Sequence, residues 1–331
     1  MKTKGMILMN NLWEEISIPA HDVFSRRVDH THPLNLFWAR DPYGRFLFIY
    51  EFISPDNLPD KFPLLHGIEV RLLTPEQHQS NNYMLLLILK DKKDWQIFSS
   101  LCNDMIASTR EFEKNSQATR IILRRLKRWQ EFLQKSRSEL LPEKEIKGLI
   151  GELFFIVKHL YPAFGMGQAV QFWQGAEDMP QDFNIENCAV EVKCQLGTTA
   201  PSVHISSAEQ LCTQLSKLYL YVVTLGKTDA DAENVINLPS LISHIRLELE
   251  TDAPSVLERF NNLVYQTGYM DLEEYYEYSY LFCAEQMFSV EGNFPRICPC
   301  DLLPGIDRLT YVINLLDCEP FAATPDWMQI A

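Results

Sequence analysis

Between Asp182 and Cys194 the chain reads DFNIENCAVEVKC, which sets two carboxylates and an ammonium group at spacings where they can act together. Taking Glu186-Asn187 as the two-residue turn of a β-hairpin pairs Ile185 with Cys188, Phe183 with Val190 and Asp182 with Glu191. Side chains alternate along a strand, so Lys193 shares the face of Glu191, while Phe183, Ile185, Cys188, Val190 and Val192 point the other way. A plain salt bridge is one reading of the trio. Two acids facing each other across paired strands repel, however, unless a cation sits between them. A divalent metal is the natural candidate.

The elements that would position these groups are legible on both sides. Upstream, PEKEIKGLIGELFFIVKHL, Pro142 to Leu160, reads as a helix with proline in its first turn and Glu143 and Glu145 near the positive end of its dipole. Ile146, Leu149, Ile150, Leu153, Phe154, Val157 and Leu160 recur at three- and four-residue steps and predict a broad buried stripe. Glu152 lies off the centre of that stripe, beside Gly151 and one turn after Gly148, where a backbone or ligand could approach closely. Downstream, SVHISSAEQLCTQLSKLYLYVVTL predicts a short strand, a helix capped by Ser206 or Ser207, and an apolar strand from Leu218 to Leu225.

The order helix, strands, helix, strand, with an acid on the first helix followed by Asp182, Glu191 and Lys193, resembles the PD-(D/E)XK nuclease core. More narrowly, GLIGEL, DF, EVK and VHISSAEQL resemble an uncharacterised bacterial family of PD-(D/E)XK type, the domain of unknown function numbered 4420. The likeness extends to RLKRWQEFL, FPRI and GIDRLTYVINL, with its specific part between Gly148 and Leu211. One departure stands out: Gln181 precedes the acid where the motif has proline, and Pro180 lies one place earlier.

The resemblance implies an α+β or α/β fold with a restriction-endonuclease-like core, a central hairpin and a phosphodiester-hydrolysing site. Asp182, Glu191 and the backbone carbonyl of Val192 would ligate Mg²⁺, or Mn²⁺ in its place, through hard oxygens. Lys193 would orient the attacking water and stabilise negative charge developing on phosphorus, and Glu152 would reach the metal through water or hold a second ion. Gln210 resembles a family position, which implies a hydrogen bond near the site; a helix-surface glutamine is the plainer reading. Cleavage would leave a 3′-hydroxyl and a 5′-phosphate. Family members tend to be encoded beside DNA methyltransferases and ATPases, which implies a DNA endonuclease subunit of a defence or restriction-type system, with such proteins as partners. A catalytically inactive scaffold that binds DNA or partner subunits is the alternative, and a nuclease acting on RNA is a third.

At 331 residues the chain is long enough for two or three compact units. No apolar run approaches a membrane span, and MKTKGMILMNN is too short in apolar residues for a secretory signal, so a cytoplasmic protein with eight reduced cysteines is expected. A formal charge of −14 argues against a wholly basic DNA-binding surface. The charge is uneven: Arg120, Arg124, Arg125, Lys127, Arg128, Lys135 and Arg137 face the single acid Glu131, a run that reads either as a phosphate-tracking helix or as a solvated helix face. From Asp229 to Glu291 there are thirteen acids against Arg246 and Arg259.

This gives four segments: a β-rich amino-terminal domain (1–110), a basic helical connector (111–141), the nuclease-like core (142–226) and an acidic α/β region (227–331). RFLFIYEFI, HGIEVRLL and YMLLLILKD read as strands, Asp94 to Ala107 and Ile121 to Gln134 as helices, Leu238 to Leu249 as a helix and Leu309 to Leu316 as a strand. Cys298 and Cys300, with Cys283 and Cys318, lack zinc-knuckle spacing and read as buried structural thiols. His30 and His32 read as loop residues. His204 receives no catalytic role, and the tyrosines from Tyr275 to Tyr280, set among acids, read as packing residues.

Overall fold

The computed structural model describes the chain apart from residues 1–10, 54–57, 60, 79–80, 113–114, 136–139, 178, 198–199 and 330–331, so the amino-terminal MKTKGMILMN and Arg137 lie outside the described residues. It is a mixed α+β structure that divides into two compact units, Met6–Glu139 with Met270–Glu273, and Leu140–Tyr269 with Glu274–Ala331.

The first unit is built on a five-stranded antiparallel sheet of β1 (Phe24–Arg27), β2 (Asn35–Arg40), β3 (Phe46–Phe52), β4 (Ile68–Leu73) and β5 (Tyr83–Leu89), in the order β1-β2-β3-β5-β4. A single turn, α1 (Pro75–His78), precedes β5, and α2 (Trp95–Thr109) and α3 (Asn115–Lys135) follow it. The three strands read from the sequence are β3, β4 and β5. Alternation along β3 sends Phe46, Phe48, Tyr50 and Phe52 to one face and Leu47 and Ile49 to the other, and all six are buried. Trp13 stacks on Phe46 and Phe98, which ties α2 to the sheet. The Tyr50 hydroxyl shares a hydrogen bond with Thr119 of α3 at 3.0 Å.

The second unit begins with α4 (Glu143–Phe155), whose Pro142 sits at the N-cap. Ile146, Leu149, Ile150 and Leu153 are buried as the periodicity requires. The helix then opens into a π-helical turn at Ile156–Leu160 before α5 (Tyr161–Phe164) and α6 (Met166–Phe172). The wider turn rotates the buried face, so Ile156 and His159 are buried where the simple period points to Val157.

The sheet of this unit runs β10-β9-β7-β6, from β6 (Phe183–Ile185), β7 (Cys188–Leu196), β9 (Lys217–Lys227) and β10 (Tyr280–Ser289). The hairpin register is the expected one, Phe183 with Val190 and Ile185 with Cys188, and Glu186 opens its turn with φ of 52°. On its other edge β7 pairs in parallel with β9, Glu191 with Leu220 and Lys193 with Val222. A separate two-stranded ribbon joins β8 (Ser202–Ile205) to β11 (Tyr311–Asn314). Its Val203, Ile205 and Ile313 pack with Ala189, Leu218, Leu220 and Val222, while α4 covers the opposite face of the sheet. The carboxyl-terminal region joins this same unit through β10, on the free edge of β9, and through α7 (Leu238–Asp252) and α8 (Pro254–Gln266).

One expected element is absent. The segment from Ser206 to Ser216 forms turns and bends, not a helix. Its carbonyls point inward to partners elsewhere: the Gln181 amide donates to those of Glu209 and Cys212 at 2.7 and 3.0 Å, and Arg296 to that of Leu211 at 3.2 Å. A helix would need those oxygens for its own ladder.

Candidate active site

The site is assembled where α4, the segment after α6 and the β6-β7 hairpin meet. Gly151 brings α4 down onto the sheet, since a Cβ there would lie 3.3 Å from Val192 and 3.4 Å from both Cys194 and Val223. Gly148 has open space around it, so the close approach expected at both glycines occurs at Gly151 alone. Glu152, next in sequence, turns toward Trp173, whose fully buried indole donates to Glu152 Oε2 at 2.7 Å. The backbone N–H groups of Gln174 and Gly175 donate to the Asp182 carbonyl at 2.8 and 3.1 Å, which anchors that segment to the start of the hairpin. Gly175 thereby lies against both acids: a Cβ would overlap Glu152 Oε2 and lie 2.9 Å from Asp182 Oδ1.

Asp182 stands immediately before β6, and its Oδ2 accepts from the Val192 N–H at 2.7 Å. A strand residue's carbonyl projects to the same edge as its N–H, so the Val192 carbonyl is directed to that side as well. Glu191 is 1% exposed; its Oε1 accepts from Lys193 Nζ at 2.6 Å, and its Oε2 is buried without a hydrogen-bond partner. Lys193 also donates to Gln210 Oε1 at 3.2 Å, and that oxygen accepts from the Ser206 N–H at 2.7 Å. The structure thus brings Glu152 and Asp182 together over Gly175, and Glu191, Lys193 and Gln210 together on the adjoining face of β7.

Burial sets the electrostatics. It pushes the Glu152 carboxyl up to about 8, helped by the Asp182 charge and opposed by the Trp173 hydrogen bond and Lys193. Burial raises Asp182 too, against the pull of Lys193 and the Val192 N–H. Glu191 is pressed upward by burial and then by Asp182, so its ion pair depends on the ammonium at hand. For Lys193 burial works the other way, but the fields of Glu191, Asp182 and Glu152 outweigh it and keep the group charged.

Each carboxylate is therefore held by a different donor: Glu152 by an indole, Asp182 by a backbone amide and Glu191 by an ammonium. Held apart in this way, no three His, Cys, Asp or Glu side chains among the described residues are gathered closely enough to hold a metal ion as they stand. The donor chemistry nevertheless suits a hard divalent cation. It offers carboxylate oxygens whose proton affinity is raised, one of them buried and unpartnered, beside a glycine whose missing side chain leaves the acids room.

Three contributors escaped the sequence reading. Trp173 was hidden in an unremarkable FWQGAE, and Gly175 two residues on carried no signal without the fold. Gln181, noted only as a departure from proline, is 7% exposed and bonded to the 209–212 turn. Gln210 sits on that turn rather than on a helix.

Of the cations on α3, Arg120, Arg124 and Lys127 are exposed and Arg128 is half-buried. Arg125 is buried instead, with a guanidinium nitrogen 3.5 Å from Asp104, because its position falls on the stripe of Ile122, Leu126 and Trp129. Cys298 and Cys318 are buried as expected, but Cys283, on the edge strand β10, and Cys300, in the turn Pro299–Asp301, are exposed, and His204 is exposed on β8. Tyr275 and Tyr280 pack in the core, and His32 is buried with its Nε2 3.0 Å from the Ile106 carbonyl. No helix among the described residues is long and apolar enough to cross a membrane.

A comparison with family models matches residues 9–316 to the family described as "Putative PD-(D/E)XK family member (DUF4420)". No curated protein and no solved structure matches the chain.

Proposed function

Since the chain belongs to that PD-(D/E)XK family, whose nucleases typically use divalent metal ions, we propose that it is a Mg²⁺-dependent DNA endonuclease, a subunit of a bacterial defence or restriction-type system. The observation that carries this reading is that the Glu152–Asp182 pair over Gly175 and the Glu191–Lys193 ion pair lie near enough for their charges to act on one another, with Glu191 Oε2 buried and unpartnered. Glu191 is fully buried and Glu152 and Asp182 are half-buried, and holding carboxylates there costs stability that a fold serving only as a scaffold has no need to bear.

Asp182, Glu191 and the Val192 carbonyl would hold the cation, with Glu152 beside them. When bound, the cation neutralises charge on the scissile phosphate and acidifies a water. Lys193 is fixed by two acceptors, Glu191 and Gln210, which leaves one of its three N–H donors for the attacking water or a phosphate oxygen. Water adds to phosphorus in line and the bond to the 3′-oxygen breaks, giving a 3′-hydroxyl and a 5′-phosphate. The exposed Arg120, Arg124 and Lys127 supply phosphate contacts independent of sequence. An ATPase or methyltransferase encoded alongside would supply target selection.

The test is a nicking and cleavage assay with and without Mg²⁺ or Mn²⁺, with the protein alone and with its gene-cluster partners. Asp182→Asn and Glu191→Gln should each remove most activity, and Lys193→Ala should cut it by about 10²-fold or more while leaving cation binding measurable by calorimetry. If the wild-type protein binds DNA but no condition yields cleavage, the inactive scaffold replaces the nuclease.

A further inference from the structure

We infer that Gln181 is a positioning residue for Lys193, acting through the turn at 209–212 and the side chain of Gln210. The inference rests on the nuclease reading for its consequence, though not for its geometry.

Gln181 adjoins Asp182, yet its side chain turns away from the acids. Buried to 7% exposure, its Nε2 lies 2.7 Å from the Glu209 carbonyl, 3.0 Å from that of Cys212 and 3.4 Å from that of Gln210. An amide has two N–H donors, so the two short bonds are made in full and the third carbonyl shares. The turn itself is short of internal support. Its backbone bonds run from Gln210 to Ser207 at 3.4 Å and from Cys212 to Glu209 at 3.0 Å, the three-residue pattern of isolated turns. Arg296 completes the set from outside by donating to the Leu211 carbonyl.

What the clamp fixes is the Gln210 side chain. Its Oε1 receives both the Ser206 N–H at 2.7 Å and Lys193 Nζ at 3.2 Å. The ammonium therefore has one acceptor on its own strand, Glu191, and one on a turn that Gln181 holds in place. With Gln210 displaced, Lys193 would be held by Glu191 alone and free to swing about that bond. Proline in place of Gln181 would set the backbone before the acid but could not reach the turn; the amide ties the same residue to the second wall of the site.

The experiment uses the full chain carrying Gln181→Met, which keeps the bulk and removes the donor; Gln181→Asn, which keeps the amide one methylene short; Gln210→Ala; and the Gln181→Met, Gln210→Ala pair. Hydrogen exchange without metal should show the amides of Ser206, Gln210 and Cys212 opening at least about tenfold faster in both Gln181 variants, with α4 and β9 unchanged. In single-turnover cleavage Gln181→Met should be slowed roughly 10- to 100-fold at unchanged DNA affinity, and this loss should vanish in the Gln210→Ala background.

Unchanged exchange at 206–212 in both variants overturns the clamp. Losses that add in the double variant overturn the route through Gln210. Should the wild-type protein cleave nothing, alone or with its gene-cluster partners, the nuclease reading falls, and the exchange result alone decides the clamp.

Discussion

Replacing Glu152 by glutamine should change how the stability of the carboxyl-terminal unit depends on pH. In the folded chain burial and Asp182 push this carboxyl up to about 8, against an ordinary value of 4.5 for the unfolded chain. A raised acid binds its proton more tightly when folded, so it favours folding below about pH 4.5, and that contribution is lost as pH rises through about 8. One such proton corresponds to a slope of up to about 1.4 kcal/mol per pH unit inside the window. Glutamine keeps an oxygen for the Trp173 indole and has nothing to titrate. Urea unfolding of the metal-free protein, followed by tryptophan fluorescence from pH 5.5 to 8.5, should show wild type losing stability with rising pH more steeply than Glu152→Gln. The difference should approach that slope near neutrality, and saturating Mg²⁺ should reduce it by substituting for the proton. Parallel pH profiles for the two proteins would refute the electrostatic account of the site.

Gly175→Ala should destabilise the fold by about 1–3 kcal/mol and weaken Mn²⁺ binding in calorimetry, because its methyl enters the space of Glu152 and Asp182. Arg125→Ala should cost about 3–5 kcal/mol in denaturant unfolding by taking the counter-charge from buried Asp104, whose Oδ2 still accepts from the Trp129 indole, whereas Arg124→Ala on the exposed side should stay within about 0.5 kcal/mol. Neutralising Arg120, Arg124 and Lys127 together should flatten the salt dependence of DNA binding by about 0.9 logarithmic units for each phosphate that the variant no longer neutralises, as read by binding isotherms across salt concentrations.

The hairpin could be read from the sequence because a period of two and a two-residue turn leave one register that buries Phe183, Ile185 and Val190. Helix α4 was equally plain from its stripe, up to the π-helical turn, which a simple period cannot register. What failed had local signals overruled by distant partners. Ser206 and Ser207 look like N-caps, yet the carbonyls of the following turn belong to Gln181 and Arg296. Strand β10 was missed because, at the sheet edge, Phe282, Cys283 and Ala284 are exposed and its pattern does not alternate. Strand β1 has no buried residue and left no trace. In the site, residue types announced Asp182, Glu191 and Lys193, while Trp173, Gly175 and Gln181 act through contacts that only the fold creates.

The order of strands in the sheet also times its assembly. Strand β9 is flanked by β7 on one edge and on the other by β10, which lies more than fifty residues further along the chain. During synthesis the segments bearing Glu152, Asp182, Glu191 and Lys193 leave the ribosome first and must wait with an open strand edge for Tyr280–Ser289 to emerge. The ribbon that closes the other face waits longer still, since β8 is paired only when Tyr311–Asn314 arrives. A chain terminated early would carry every acid of the site without the scaffold that aligns them.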